Sequence, residues 1–489
     1  MKIIPQFMMS LLISTTIPIF CDFSNRNWIS FLDSQDNRVL AQSSNNNLTT
    51  KQNQADNQML KTLAEQNQIS AALEFSERIR TRGLMNLLSN KISEYSTKPL
   101  NIEQIKKVAK QQKATLVQYT IITNVINHNN QRINSDSELY IWVIRPTGEV
   151  DFQRVDLKPL WQKFNLSLSD LIIKTRETMG VSSNYNKSIF ITKPAELEQQ
   201  GNPKEQLQQL HEILITPIAK ILPKNSQEHV IFIPQGKLFL VPFAALQDRN
   251  GQYLIEKHTI NIAPSIQVLD LLYQQKQRIQ GMAKDALIVG NPTMPSIASK
   301  PGETPRKLSL LPGAEQEAKA IAEILQTQAL TGNAATETAV VQRMPKARII
   351  HLATWNYIQG TQTLGALALA PEPGGMKGGD GWLTYEEILN LNLQADLVVL
   401  SANDTALGKI TGDGVIGLSR SFFAAGVPSI VGSLWSVSDE SPVLIMTEFY
   451  QKLSENPDKA SALRHAMLAT RKKYPHVRDW AAFTLIGVS

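Results

Sequence analysis

Residues 346–356 read KARIIHLATWN, and residues 395–405 read ADLVVLSANDT. Each stretch opens on polar or small residues, runs through aliphatic and β-branched ones, and closes on small and polar ones. Ile349-Ile350 and Val398-Val399-Leu400 show no alternation of polar and apolar side chains. That is the pattern of strands buried on both faces of a parallel sheet. In such sheets the site lies just past the carboxyl ends of the strands, where strand order switches. The candidate residues are therefore Thr354, Trp355 and Asn356 after the first strand, and Ala402, Asn403, Asp404 and Thr405 after the second. Neither Trp355 nor Asn403 titrates near neutral pH, and neither attacks a carbonyl or carries a proton under ordinary conditions. The layout is catalytic, but the reactive groups are missing.

The same pattern recurs on both sides of these two stretches. Ala286–Val289 reads as a strand ending at Gly290-Asn291-Pro292, and Gly313–Leu325 as a helix with Glu315, Glu317 and Lys319 outward. A helix end at Ala339–Met344, a Gly-rich loop Pro371–Gly381 and a helix Thr384–Leu389 come next. Thr411–Ala425 then reads as a helix, Ser429–Trp435 as a strand, Ser441–Leu453 and Lys459–Lys473 as helices, and Ala482–Gly487 as a last strand. Strands separated by single helices give right-handed crossovers and a three-layer sandwich. Upstream, Asn202-Pro203 is a helix start, with Leu207, Leu210, Ile213 and Leu214 on one face. His229–Leu246 reads as two short strands flanking the turn signal Pro234-Gln235-Gly236.

The first half is different. Met59–Ser93 carries apolar residues at helical spacing (Leu60, Leu63, Ile69, Leu73, Ile79, Leu84, Leu87, Leu88) with a break near Asn67. Two helices of this kind form one helix–turn–helix unit, which cannot bury its own face and must dock on a later part of the chain. Its charged residues Glu74, Glu77, Arg78, Arg80 and Arg82 read as a solvated face. Asn101–Gln112 is helical. Thr115–Asn124, Leu139–Arg145 and Val150–Val155 are strands, with Tyr140 and Trp142 on one packed face, and Leu160–Thr178 is a helix after Pro159.

The 489 residues, 42% hydrophobic and 19% charged, leave room for two or three domains with a real core. A net charge of +6 over that length, with no run of five Lys/Arg, gives nucleic-acid binding little support. Cys21 is the single cysteine, so a disulfide within the chain and a cysteine metal cluster are both excluded. Ile3–Phe20 reads as a signal sequence or a short membrane anchor, with a cleavage signal at Val39-Leu40-Ala41. The expectation is an exported or membrane-anchored protein on the periplasmic or extracellular side, with a cytoplasmic protein as the alternative. Gln42–Gln58 holds almost no large apolar residue and reads as a disordered tether. His128, His211, His229, His258, His465 and His476 are scattered without ligand spacing, and no Lys-Ser/Thr comes after the Gly374–Gly381 glycines. No metal and no cofactor are expected.

Seven ordered blocks carry a resemblance. They are Pro234–Leu246, Leu311–Glu315, His351–Thr354, Leu397–Thr405, Gly412–Arg420, Gly432–Val437 and Trp480–Phe483. Together they resemble the CHAT domain, a caspase-like cysteine peptidase fold, common in cyanobacteria and often placed after TPR helices. The resemblance implies a fold class of α/β type. This is a caspase-like three-layer sandwich with a mostly parallel sheet, preceded by a short helical segment and a small α+β region. The expected boundaries are 1–41 for the signal peptide or anchor, 42–58 for the tether, and 59–95 for the TPR-like helices. The α+β region spans 96–200 and the CHAT domain 203–489. In the family, an A-T-H-G histidine is the base and an S-A-C-x-T-G cysteine the nucleophile. The resemblance puts Trp355 and Asn356 where that histidine and glycine stand, and Asn403 and Ala406 where the cysteine and last glycine stand. His351 matches a frequent earlier histidine that is not the base.

The implied function is a catalytically inactive pseudopeptidase, binding protein or peptide as a scaffold or regulator. The alternative is a hydrolase with a substitute nucleophile, Ser401 or Thr405, using His351 as base and Asp404 or Asp413 to orient it. A purely structural surface module with its cleft closed by Trp355 is the third reading.

Overall fold

The aliphatic runs pair into one eleven-stranded sheet. The computed structural model describes residues 52–91, 98–128, 131–181, 203–297, 304–357, 365–373, 379–401, 409–411, 414–437 and 440–489. Residues 57–489 form one compact unit, which holds the sheet.

The strands of the main sheet, in chain order, are β1 (Ala114–His128), β2 (Gln131–Ile144), β3 (Val150–Asp156), β4 (His229–Ile233), β5 (Thr259–Ile262), β6 (Asp285–Pro292), β7 (Ala329–Gly332), β8 (Ala347–Ala353), β9 (Leu397–Leu400), β10 (Ser429–Ser433) and β11 (Phe483–Gly487). Across the sheet they lie in the order β3-β2-β1-β4-β5-β11-β10-β9-β8-β6-β7. β3, β2 and β1 form an antiparallel meander, and β11 runs antiparallel to β10; the remaining neighbours are parallel. Strands β8 and β9, which carry the aliphatic runs of 346–356 and 395–405, are adjacent, with Ile350 opposite Val398 and His351 opposite Val399. Every residue of β9 is buried, as expected for a strand covered on both faces.

Helices Pro312–Ile324, Glu440–Glu455 and Lys459–Lys473 pack together over the sheet. Helices Ile69–Lys91, Ile102–Gln112, Ile266–Ile279 and Leu418–Ala424 form a second group. The first group approaches very closely at Gly290. A Cβ there would lie 2.3 Å from the carbonyl oxygen of Ala314 and 2.4 Å from the Cβ of Ala318, so only glycine fits.

Several expectations need correction. The helix–turn–helix does break at Asn67, which adopts a left-handed φ of 56°, but its charged face is not all solvated. Glu77 and Arg80 are buried at 1% and 3% exposure. Arg80 donates to the carbonyls of Pro234 and Tyr119, and Glu77 accepts from the Gln267 amide at 2.8 Å. Glu317 is buried as well, not outward. Residues 52–65 are helical, so 52–58 are not part of a tether. Leu160–Thr178 splits into Lys158–Phe164 and Leu168–Thr178, because Asn165 turns left-handed and Ser167 starts a new helix with a capping box. After Gly236 the chain forms short 3₁₀ turns, Gly236–Leu240 and Phe243–Ala245, where a second strand was expected. Thr411–Ala425 is helical only from Leu418; Lys409–Thr411 and Gly414–Ile416 pair as a hairpin. Asn202, the expected cap, lies outside the described residues, as does everything before residue 52. Among the described residues no helix is long and apolar enough to cross a membrane.

Candidate functional site at the carboxyl ends of two parallel strands

The site begins with the register of β8. Ala347 to Ala353 alternate between the two faces of the sheet, and His351 is turned toward helices Pro312–Ile324 and Glu440–Glu455. It is fully buried. Its Nδ1 lies 3.2 Å from the Tyr450 hydroxyl. Its Nε2 lies 3.0 Å from Oε1 of Glu317, close enough for an ion pair but out of line for a hydrogen bond. Burial pushes the Tyr450 hydroxyl well above the ordinary range, and the charge of Glu317 adds to this. Both ring nitrogens of His351 thus face interior groups. To serve as a base for Ser401 or Thr405, this imidazole would first have to leave Glu317 and Tyr450.

Beyond Ala353 the chain is caught by a small antiparallel sheet of Asn356–Tyr357, Ala366–Ala368 and Trp382–Thr384. Thr354 is buried and donates its hydroxyl to the Ala368 carbonyl at 2.6 Å. The Ala368 amide returns a bond to the Trp355 carbonyl at 2.9 Å. Asn356 is buried and pairs with Leu367. Residues 354–356 are therefore held by the Ala366–Ala368 strand.

Trp355 is 9% exposed. Its ring packs with Met294, Leu308 and Ala368, and Ile297, Leu311 and Trp382 close the cluster. The indole Nε1–H donates to the carbonyl of Ser309 at 2.8 Å. Residues 306–311 run across this ring as a strap. Arg306–Lys307 pairs antiparallel with Ser296–Ile297, and the Leu308 amide bonds to the Pro295 carbonyl at 3.2 Å. Leu308 is buried at 4%, whereas Leu310 is exposed at 63%. At the far end, the side chain of Asn291 accepts from the Leu311 amide at 2.8 Å. Burying Leu308 contributes about 1.5–3 kcal/mol and the indole bond about 0.5–1.5 kcal/mol. Both are small against the stability of a whole domain.

Ser401 is half-buried, and its amide donates to the Leu352 carbonyl at 3.0 Å, one step past the end of β9. Asn403, Asp404, Thr405 and Asp413, together with Ala402 and Ala406, lie outside the described residues. The structure thus brings together His351, Thr354, Trp355, Asn356 and Ser401 on neighbouring strand ends.

Sequence reasoning missed Glu317, Tyr450, the strap and Glu337. Glu337 begins a helix, is 3% exposed, and accepts from the Gly381 amide at 3.1 Å. Burial and the negative charges of Glu387 and Asp380 push its carboxyl up to about 7. Gly381, at a φ of +86°, leads directly into Trp382 of the Trp355 cluster. One signal for Glu317 was present: it sits in the stripe Ala314, Glu317, Ala318, Ile321, at the spacing of a buried helix face. Among the described residues, no group of three His, Cys, Asp or Glu side chains is placed to hold a metal ion.

A family model described as "CHAT domain" matches residues 204–488. Tetratricopeptide repeat protein 28 of Mus musculus is 29% identical over 332 residues, covering 58% of this chain and 13% of the mouse protein. The Homo sapiens protein of the same name is 29% identical over 335 residues, with the same coverage. This chain thus spans only a small part of those relatives. Among solved structures, a chain of the Saccharomyces cerevisiae separase–securin complex is similar with a TM-score of 0.50 and 12% identity, over 86% of this chain and 34% of that one. The Arg-specific cysteine proteinase gingipain R is similar at a TM-score of 0.35 and 12% identity, covering 67% of this chain and 75% of that one.

Proposed function

This chain belongs to the CHAT domain family, and from that premise we propose that it is a peptidase fold without peptidase chemistry, used to bind a protein or peptide as a scaffold or regulator. One observation carries the reading. At the position the family gives to its catalytic imidazole, the indole of Trp355 is packed among apolar side chains and bonded to the Ser309 carbonyl. An indole neither accepts nor relays a proton at neutral pH. Asn403, at the nucleophile position, carries an amide in place of a thiol, and the lone cysteine, Cys21, is remote in sequence. A cleft of this kind retains what recognition needs, namely backbone groups and apolar pockets. The expected export or membrane anchoring through Ile3–Phe20 belongs to the same reading and is checked by cell fractionation.

The test uses the immobilised full chain and a library of synthetic peptides. Retained peptides are expected to elute with both ends intact, and a fluorophosphonate probe is expected to leave the protein unlabelled. Shortened peptides, or labelling abolished by Ser401→Ala, would establish the substitute-nucleophile alternative and remove this reading.

A further inference from the structure

We propose that the apolar pocket around Trp355 is a peptide site that takes a leucine-sized side chain, and that the chain's own strap, residues 306–311, occupies it. The partner is an extended protein segment that places an aliphatic side chain where Leu308 now sits. This deepens the reading of the cleft as a binding site and rests on it.

The strap has the features of a bound peptide. It is extended and pairs along Ser296–Ile297 through Arg306–Lys307. It buries Leu308 in the cluster with Met294, Ala368 and Trp355 and packs half-buried Leu311 against the same cluster, while Lys307, Ser309 and Leu310 remain exposed. It offers one carbonyl, that of Ser309, to a side-chain donor, the Trp355 indole. An alternating anchor plus main-chain bonds is how extended peptides are read by a sheet. Its hold is local: buried Leu308, half-buried Leu311, the Trp355 indole bond, a few backbone bonds and the Asn291 side chain at its end. A segment held this way opens without unfolding the domain. The covalent link keeps the strap at high effective concentration, so a free peptide must compete with it.

The experiment measures strap release and binding in trans on the full chain. Leu308→Asp puts a charge into the apolar pocket and is expected to make trypsin cut after Arg306 or Lys307 at least ~10-fold faster than in the wild type. The same variant is expected to bind a fluorescent peptide copying residues 304–312 at least ~10-fold more tightly than the wild type does. A peptide with aspartate at the Leu308 position is expected to bind neither protein. Trp355→Phe keeps the pocket apolar but removes the donor, and is expected to speed strap cleavage several-fold; it reads out the same device if Leu308→Asp does not fold. Unchanged trypsin cleavage in folded Leu308→Asp and Trp355→Phe, or failure of the peptide to bind the folded Leu308→Asp variant, overturns the proposal. Cleavage of the peptide by the protein would sink the functional reading instead, so the two failures are distinguishable.

Discussion

The imidazole of His351 and the carboxylate of Glu317 meet 3.0 Å apart inside the protein, both shut off from solvent. Taking two such groups from water is costly, and each is tolerable only because the other is there. His351→Leu is therefore expected to destabilise the protein by roughly 3–5 kcal/mol, the cost of leaving one member of a buried pair without the other. The double variant His351→Leu/Glu317→Leu is expected to recover much of that loss. Urea unfolding of the wild type and the two variants checks this; a double variant less stable than His351→Leu would show that the pair itself does not set the cost.

Arg80 connects the amino-terminal helices to the sheet. Its guanidinium meets the carbonyls of Pro234, just past β4, and Tyr119, within β1. Hydrogen bonds to a charged group contribute about 1.5–3 kcal/mol, and Glu77 nearby loses its countercharge if Arg80 goes. Arg80→Met is expected to lower stability by about that amount or more. It is also expected to raise protease sensitivity within Ile69–Lys91 before the rest of the chain. Hydrogen exchange resolved by peptide gives the readout; uniform protection in Ile69–Lys91 would contradict it.

β1 pairs in parallel with β4 from Ala114 opposite His229 to Gln118 opposite Ile233. A fragment beginning at residue 203 would therefore present β4, whose last four residues are buried in the full chain, as an open apolar edge. The fragment 203–489 is expected to aggregate or form mixed oligomers. A chain retaining residues 57–202 is expected to stay well behaved at the same concentration. Size-exclusion chromatography with light scattering separates the outcomes; a monodisperse 203–489 fragment would show that the meander is an appendage.

Glu337 gives a pH dependence of unusual sign. Its carboxyl moves from an ordinary 4.5 up to about 7 on folding. Between these values the folded state holds a proton that the unfolded state releases, so the contribution to stability falls as pH rises through that window. Glu337→Gln removes the titration and keeps an oxygen for the Gly381 amide. The variant is expected to gain thermal stability relative to the wild type from pH 4.5 to pH 8. A gap in Tm that stays constant over this range in calorimetry would rule the assignment out.

Much of the fold was legible in residues 346–356 and 395–405. Unbroken aliphatic runs such as Val398-Val399-Leu400 signal strands buried on both faces, and β9 is buried throughout. The strand β5 and helix Ile266–Ile279 were missed. Thr259-Ile260-Asn261-Ile262 looks half-exposed by alternation, yet all four are buried, with the Asn261 amide donating to the Gly487 carbonyl at 2.8 Å. Glu77, Arg80 and Glu317 read as solvent-facing because charge usually outranks spacing. Each lies three, four or seven residues from a buried apolar residue, and each meets a polar partner far along the chain. The strap was illegible for a similar reason: Ser309 lies 46 residues along the chain from the indole that binds it, and only the tertiary fold brings them together.

Under the proposed function, a cleft that grips without cutting leaves its partners whole. The decisive measurement incubates the purified full chain with a denatured proteome and maps new amino termini by mass spectrometry. The expected result is none above a heat-inactivated control. Reproducible cleavage that disappears in Ser401→Ala or His351→Ala would contradict the account.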